Sequence, residues 1–329
     1  MQKIKYILSA VCVFCLGVSD NTVAKEANTQ LLQQGPYKIY HEQALEVLDL
    51  NNPVKTLASG YDWLEGPVWV NQGGYLLYSD IPNHQVYKYT PDKGASLYLA
   101  HSGYSNGLIV NKQNELVLLQ SRSRVISKMK TPLSTPKSQY LQIVSHYNGQ
   151  KFNSPNDGVF NDQGMLYFSD PPYGLPNQLD DEGKELKFQG VYSLKNTGEL
   201  TLLDRDLIYP NGVALSADNK TLYVAASNAN KPAWYQYDLN DRGAVVSKSI
   251  FYELPPVIKH DQGLPDGLKV HKSGIIFATG PNGLWLFNKN AELLAQIEMR
   301  NISANLTFNQ SQNRVYITAH TQLLALDLK

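Results

Sequence analysis

One short pattern returns along the chain and limits the folds that it can adopt. An oxygen-bearing side chain stands just before a short apolar run, and in most copies a glycine separates the two. The oxygen-bearing residues are Glu65, Asn106, Asn156 (with Asp157 beside it), Asn211, Asp266 and, without the glycine, Asn305. An internal repeat of this kind is typical of an architecture built from similar units around a common axis.

Each copy of the pattern opens a unit of short strands. In the first unit, strand-like runs cover residues 67–70, 75–79, 86–89 and 96–100, and Gly, Pro, Asn and Asp turns separate them. Four short strands in about forty residues are typical of a propeller blade. Five similar units follow, and no change in composition marks a second domain. We therefore predict an all-β chain, with a six-bladed β-propeller over residues 41–329.

The two ends of the predicted propeller are expected to meet. The sixth unit has only three strand-like runs before the chain ends, and the run at residues 54–59 belongs to no unit. We expect this N-terminal strand to close the last blade, since closure of the ring removes free sheet edges. Residues 43–50 would form a short helix or a strand, and the polar residues 25–40 a flexible lead-in.

The first 24 residues are typical of a secretory signal peptide. Lys3 and Lys5 precede an apolar stretch at residues 6–18 that is short for a membrane span, and residues 22–24 offer a cleavage site. We expect export to the periplasm of a Gram-negative bacterium, without stable membrane insertion after cleavage. A retained membrane anchor is the alternative. Both cysteines, Cys12 and Cys15, lie in this segment, so the mature chain would hold no disulfide.

The overall charge gives no sign of a polyanionic partner. The chain has 29 basic and 29 acidic residues, so we expect no nucleic-acid binding. The chain is expected to be a monomer or a dimer.

The repeated polar residues predict a cation site. The innermost strand of each blade lines the channel of a propeller, so these residues would meet at one mouth. Two carboxylates and several amides suit a hard divalent cation, Ca²⁺ first, and the lack of His or Cys at these positions argues against a soft metal. Without a cation, the two carboxylates would repel and one pKa would rise. A single Asn-Gly or Asp-Gly could be an ordinary turn, but six copies in register with the repeat favour a site.

Longer motifs resemble those of the gluconolactonase, senescence marker protein (regucalcin) and luciferin-regenerating enzyme family. They keep the family's order and spacing from about residue 45 to the end of the chain. The motifs are LEGPVW at 64–69, LYSDIP at 77–82, FNSPND at 152–157, LYFSDPPYGL at 166–175, YPNGVALS at 209–216, LPDGLKV at 264–270 and LTF at 306–308. The resemblance implies a six-bladed propeller with one catalytic divalent cation on its axis.

The same resemblance implies a ligand set. The family's ligands match Glu65, Asn156, Asn211 and Asp266, and Asn106 matches a polar position beside them. The cation is expected to be Ca²⁺, with Zn²⁺, Mg²⁺ and Mn²⁺ as alternatives.

Two departures from the family pattern bear on substrate preference rather than on the metal. Bacterial relatives often carry Glu-His-Gly in the second blade, where this chain has Leu119, Gln120 and Ser121, followed by Arg122. Animal members have an Arg where Ser154 stands.

The resemblance implies hydrolysis of a small lactone, for preference a sugar lactone. Asp266 is the candidate general base as well as a metal ligand, and Asn106 is a candidate substrate contact. Tyr104 and Tyr173 could form walls for a sugar ring, or could be ordinary turn aromatics. Asp157 could assist at the substrate site by orienting Asn156, or could cap a turn.

Three further questions stay open at this stage. The loop at residues 171–187 could be a lid over the channel mouth or a plain surface loop. The enzyme could instead be an esterase or lactonase for larger, non-sugar esters. A non-catalytic propeller that binds a sugar or calcium is the alternative of a different class.

Overall fold

A computed structural model describes residues 29–256 and 262–329 of the chain. The predicted signal peptide lies outside the described residues. Within the described ranges, no helix is long and apolar enough to cross a membrane.

The described chain is almost entirely β-structure. Three strands precede the first complete blade: β1 (Leu32–Gln34), β2 (Tyr37–Ile39) and β3 (Lys55–Ser59). Blade 1 contains β4 (Leu64–Val70), β5 (Tyr75–Asp80), β6 (Gln85–Thr90) and β7 (Gly94–Leu99). Blade 2 contains β8 (Ser105–Val110), β9 (Leu116–Gln120), β10 (Val125–Met129) and β11 (Tyr140–Val144). A small hairpin, β12 (His146–Tyr147) and β13 (Gln150–Lys151), leads to the third blade.

The second half of the chain repeats the arrangement. Blade 3 contains β14 (Gly158–Phe160), β15 (Leu166–Asp170), β16 (Gly190–Leu194) and β17 (Leu200–Asp204). Blade 4 contains β18 (Pro210–Leu215), β19 (Thr221–Ala226), β20 (Ala233–Leu239) and β21 (Val245–Glu253). Blade 5 contains β22 (Leu268–Val270), β23 (Ile276–Gly280), β24 (Gly283–Phe287) and β25 (Leu293–Glu298). Blade 6 contains β26 (Asn305–Phe308), β27 (Arg314–Ala319) and β28 (Gln322–Asp327).

The blades form a closed ring. The first strands of neighbouring blades contact one another all the way round, from β4 to β26 and back to β4. The second strands β5, β9, β15 and β23 are buried along their whole length, because each lies inside its sheet and both of its faces pack against neighbouring blades. This burial explains why each of them begins in the sequence with a run of apolar residues. The predicted six-bladed propeller is confirmed.

The last blade takes its fourth strand from the N-terminal part of the chain. β3 pairs antiparallel with β28, and the Lys55 ammonium lies 2.8 Å from the Asp327 carboxylate at the same seam. The expected closure of the sixth blade by the N-terminal strand is therefore confirmed.

The predicted flexible lead-in at residues 25–40 is wrong for its last part. β1 and β2 form a hairpin that extends the fifth blade, since β2 pairs with β25. Tyr37 and Ile39 are each only 1% exposed and pack into the core between blades 5 and 6. A 3₁₀ helix at Glu42–Glu46 follows and settles the helix-or-strand alternative for this region. Alternate burial of two apolar side chains is enough to fix so short a strand.

Three glycines of the repeat, Gly66, Gly107 and Gly212, lie inside strands rather than in turns. A Cβ atom on Gly66 would overlap with the carbonyl oxygen of Asn106, and one on Gly212 would overlap with that of Asp266. Each glycine thus stands where the first strand of the next blade passes closest. The repeated pattern therefore reflects tight packing around the channel, and its polar residue faces that channel.

Candidate active site

All four predicted ligands meet in one cavity at a mouth of the channel. The cavity has a volume of about 360 Å³, within the range of small-molecule sites. Its lining includes Glu65, Asn106, Asn156, Asn211 and Asp266. In blades 1, 2 and 4, the pairing of the first strand with the second shifts register beside the polar residue. A β-bulge of this kind changes the direction of a side chain and interrupts the hydrogen bonding between the two strands at that point.

The cavity contains buried oxygen atoms without hydrogen-bond partners. Within the described chain, no donor reaches Asn106 Oδ1, Asn211 Oδ1 or Asp266 Oδ1. Leaving a buried acceptor unpaired costs about 1–3 kcal/mol each, so three around one cavity are a substantial cost. A hard cation bound among oxygen ligands would offset that cost. The residues present therefore fit the divalent cation that the sequence predicts.

The two carboxylates of the cavity are electrostatically strained. Burial raises the pKa of Glu65 to about 7, the nearby Asp157 charge adds to this, and the Gly66 N–H at 3.1 Å from Oε2 opposes it. Burial likewise raises the pKa of Asp266 well above its usual range, and the charges of Glu65 and Asp157 add to the effect. A bound divalent cation would favour the ionised form of both groups.

The composition of the donor set limits the kind of metal that could bind. Among residues 29–256 and 262–329, no group of three or more His, Cys, Asp or Glu side chains is placed to hold a metal ion. A cation in this cavity would therefore depend on the amide oxygens as well as on the two carboxylates. Such a mixed oxygen set suits Ca²⁺, which accepts amide and carboxylate ligands in flexible geometry.

Ser227 fixes the orientation of two candidate ligands. Asn211 Nδ2 donates to Ser227 Oγ at 2.9 Å, and Ser227 Oγ donates to the carbonyl oxygen of Pro265 at 2.6 Å. The first bond directs the oxygen of Asn211 away from Ser227, and the second holds the residue before Asp266. Ser227 itself lines the cavity.

Asp157 differs from its predicted role at the substrate site. It is absent from the cavity wall among the described residues and lies inside the channel. Its Oδ1 accepts from the Gly158 N–H at 2.8 Å, while Oδ2 accepts from the Val213 N–H at 3.3 Å and lies 3.6 Å from Lys269 Nζ. Consecutive residues of an extended chain point to opposite sides, so Asn156 faces the cavity while Asp157 connects the first strands of several blades.

Tyr173 lines the cavity, as expected for one of the two candidate wall tyrosines. Its ring stacks on Tyr209 with a centroid distance of 5.4 Å. Gly174 beside it also lines the cavity. The start of the 171–187 loop thus forms part of the wall.

A buried carboxylate ties this loop to the segment that carries Asn156. Asp170 accepts from the N–H groups of Asn153 at 2.8 Å and Ser154 at 2.7 Å, and burial raises its pKa to about 7. Ser154 Oγ accepts in turn from the Gly174 N–H at 2.9 Å. The start of the loop and the segment that carries Asn156 are therefore held together by hydrogen bonds.

Tyr104 takes a different place from the predicted sugar wall. In the described structure it does not line the cavity, but the Arg122 guanidinium carbon lies 4.8 Å from the centre of its ring. Tyr104 also stacks on His84 at a centroid distance of 4.9 Å. The residue that faces the cavity here is Arg122.

The sequence interpretation missed several residues of the cavity wall. One group of wall residues directly follows the second strands of blades 1, 2 and 4. A second group lies in the segments that lead into the first strands of blades 1, 5 and 6. The first group is Ile81, Pro82, Ser121, Arg122 and Ser227, and the second is Trp63, Gly263, Leu264 and Ile302. The repeat offered a signal for the first group, because the ends of all second strands face the same side of a propeller.

Comparison with known proteins identifies the family. The sequence matches the family described as SMP-30/Gluconolactonase/LRE-like region over residues 63–321. The chain belongs to this family. The resemblance seen in the sequence motifs is thereby confirmed.

Within the SMP-30/gluconolactonase family, several proteins are similar to this chain. A gluconolactonase of Zymomonas mobilis is 35% identical over 301 residues, covering 86% of this chain and 83% of that protein. The solved structure of a gluconolactonase from Xanthomonas campestris has a TM-score of 0.79 and 29% identity, and covers 92% of this chain and all of its own. The structure of a calcium-binding regucalcin from Agrobacterium tumefaciens has a TM-score of 0.68 at 16% identity, over 84% of this chain and 95% of its own, and shows a shared fold.

Proposed function

We propose that this enzyme hydrolyses a small sugar lactone with the help of one divalent cation held by Glu65, Asn156, Asn211 and Asp266. Membership of the family and the similarity to two gluconolactonases support a lactonase. The observation that carries the cation is that two of the proposed ligands, Asn211 and Asp266, have buried oxygens without a hydrogen-bond partner in the described structure. Ca²⁺ is the first candidate, since the donors are hard oxygens and a calcium-binding protein shares the fold.

The proposed chemistry divides among the residues of the cavity. When bound, the cation would polarise the lactone carbonyl as a Lewis acid and lower the pKa of water. Asp266 accepts a proton from the attacking water, since its Oδ1 has no hydrogen-bond partner in the described structure. The water oxygen bonds to the carbonyl carbon, the ring C–O bond breaks, and the proton passes to the departing ring oxygen. The product is the open hydroxy acid.

Five other wall residues are assigned to binding and orienting the substrate. Asn106 presents an unpaired amide oxygen to a lactone hydroxyl, and Tyr173 offers an aromatic face to the ring. Trp63, Ile81 and Leu264 add apolar surface that displaces water around the ester.

The reaction class is tested with a panel of aldonolactones and bulky aryl lactones, whose hydrolysis is followed with a pH indicator. The protein is first stripped with chelator and then supplied with Ca²⁺, Zn²⁺, Mg²⁺ or Mn²⁺ singly. Turnover that disappears with the metal and returns with one cation is the expected result. Cation binding without turnover of any lactone would contradict the proposal and favour a non-catalytic propeller, whereas turnover of bulky aryl lactones alone would favour the esterase alternative.

The role of Asp266 is tested by Asp266→Asn, which keeps the shape of the side chain but removes the base. We expect kcat to fall by about 10²–10⁴-fold, the usual contribution of a general base. Calorimetric cation titration measures how much of the loss reflects weaker binding. Asp92→Asn, in an exposed turn, is the matched control. Unchanged kcat at saturating cation would exclude Asp266 as the base.

Export to the periplasm stays a prediction from the N-terminal segment. Cell fractionation and mass determination of the mature N-terminus would test it. A monomeric or dimeric state is likewise a prediction, to be measured by light scattering.

A further inference from the structure

We propose that Arg122 makes the enzyme selective for lactones that carry an oxyanion, a carboxylate or a phosphate, at the end of the molecule remote from the ester. This inference rests on the proposed function, since it names the substrate class of the same cavity.

The guanidinium of Arg122 is free to bind an anion. It lines the cavity and is exposed, and no acidic side chain within residues 29–256 and 262–329 forms an ion pair with it. Glu65, one of the residues that would hold the cation beside the ester, is buried in the same cavity, whereas Arg122 is exposed. A substrate with its ester beside Glu65 would place a distal anion toward the rim, where Arg122 lies.

The neighbouring rings hold the guanidinium in place. Its carbon lies 4.8 Å from the centre of the Tyr104 ring, which stacks on His84 at 4.9 Å, and His84 stacks on His101 at 5.0 Å. A guanidinium laid on an aromatic face keeps its N–H edge available for two parallel bonds to an oxyanion. Because the stack limits side-chain freedom before binding, less conformational entropy is lost on binding.

The surroundings of Arg122 favour recognition of a charged group over a hydroxyl. Ser121 lines the cavity next to it, and Ile81 and Pro82 of the neighbouring blade provide apolar wall. Charge-assisted bidentate bonds are about twice as strong as neutral ones. A neutral hydroxymethyl group at the same place would form weaker hydrogen bonds to the guanidinium than a carboxylate or a phosphate would.

The test compares three lactones with the same ring: glucono-1,5-lactone, its 6-carboxylate and its 6-phosphate. The cation-loaded wild type is compared with Arg122→Gln, Arg122→Lys and Arg205→Gln. Arg205 is a matched control, since it is exposed and lies over the Phe188 ring away from the cavity.

We expect Arg122→Gln to lower kcat/KM at least about 10-fold for one or both anionic lactones, given the strength of charged hydrogen bonds. The neutral lactone should change by less than about threefold, as expected if it does not use the charge, and Arg122→Lys should fall between.

The comparison of the three lactones identifies the anion that Arg122 binds. It also distinguishes a failure of the role proposed for Arg122 from a failure of the proposed lactonase function. A loss on the carboxylate alone or on the phosphate alone names the group that Arg122 binds. An equal loss on all three lactones, no loss on any, or a wild type that hydrolyses only the neutral lactone would overturn this inference and leave the proposed function standing. A wild type that hydrolyses none of them overturns the proposed function itself, and this inference with it.

A second measurement needs no variant. Rising ionic strength screens an exposed guanidinium from its ligand. In the wild type, kcat/KM for the anionic lactone should fall with added salt while that for the neutral lactone stays level. Parallel salt curves for both would count against Arg122 as the selective group.

Discussion

The amide of Asn211 can present only its oxygen to the cavity, because its nitrogen donates to Ser227 Oγ. A single hydroxyl thus decides which end of an amide is available to a cation. The same hydroxyl holds the carbonyl of Pro265, one residue before Asp266. The geometry of two candidate ligands therefore depends on one small side chain that offers neither a charge nor a strong metal ligand of its own.

Replacing Ser227 with Ala should weaken the cation site. The amide of Asn211 would lose its fixed orientation and the carbonyl of Pro265 would lose its donor. We expect cation affinity to fall by about 10-fold or more, the usual effect of losing a group that orients a ligand. The unfolding free energy in chelator should fall by about 1–2 kcal/mol. Calorimetric titration and urea unfolding measure the two effects.

Ser249→Ala is the control for this change, since Ser249 is exposed and its hydroxyl accepts a hydrogen bond from Gln236, far from the candidate ligands in the sequence. An unaltered affinity in Ser227→Ala would show that Asn211 does not depend on this bond.

The sequence indicates some site residues better than others, for a physical reason. Glu65, Asn211 and Asp266 stand out because the repeat places one polar residue at the same point of each inner strand. Ser227 follows a second strand, and serine is too common in loops to be noticed there. The repeat alone does not separate Asn156 from Asp157, because which of them faces the cavity depends on the register of β14 with β15.

At the scale of elements, short strands can matter for stability even where they carry no pattern. The hairpin of β1 and β2 has three residues in each strand, and β1 is exposed throughout. Its contribution comes from Tyr37 and Ile39, which cover the core between blades 5 and 6. The long apolar runs of the second strands were predictable from sequence, whereas two buried residues in a polar stretch give too weak a signal.

Replacing Tyr37 with Ala should destabilise the propeller without altering its cavity. Tyr37 is 1% exposed and donates to the carbonyl oxygen of Asn52 at 2.5 Å. We expect a loss of about 3–4 kcal/mol in unfolding free energy, the range for truncating a buried aromatic. Lactonase activity at 25 °C should stay unchanged, since the hairpin extends the outer edge of blade 5. Urea unfolding followed by fluorescence gives the first value.

Leu32→Ala in the same hairpin is the control, because Leu32 is 43% exposed. A comparable loss in both variants would mean that the strand pairing, and not the buried ring, provides the stability.

At the scale of the whole molecule, the closed ring brings charges from distant parts of the sequence together on one axis. Burial raises the pKa of Glu65 in blade 1 and of Asp266 in blade 5. The Glu65 charge adds to the rise at Asp266, and the Asp157 charge from blade 3 adds to both. The positive charge of Lys269 opposes the rise in the pKa of both Glu65 and Asp266. The repeat predicts this meeting of charges, but the strength of their interaction depends on burial that only the assembled ring provides.

The stability of the whole propeller should therefore depend on pH and cation together. In chelator, the folded pKa of Glu65 is about 7 against an ordinary 4.5, and that of Asp266 is also raised. At a pH between the unfolded and the folded pKa, the folded state keeps protons that the unfolded chain has released. The unfolding free energy that these protonated groups contribute at pH 4.5 is therefore lost as the pH rises through about 7. Asp170, whose pKa is also raised to about 7, adds to the same decline.

A bound cation reverses the trend for Glu65 and Asp266, because it competes with their protons and binds best when both are ionised. The increase in Tm caused by saturating Ca²⁺ should therefore grow steadily from pH 5 to pH 8, as followed by circular dichroism. Asp170 does not line the cavity, so its effect is present in both curves and cancels in their difference. Glu65→Gln should flatten the dependence on pH by removing one of the two competing groups. A Ca²⁺-induced shift in Tm that is constant across this range would show that the cation does not bind at these carboxylates.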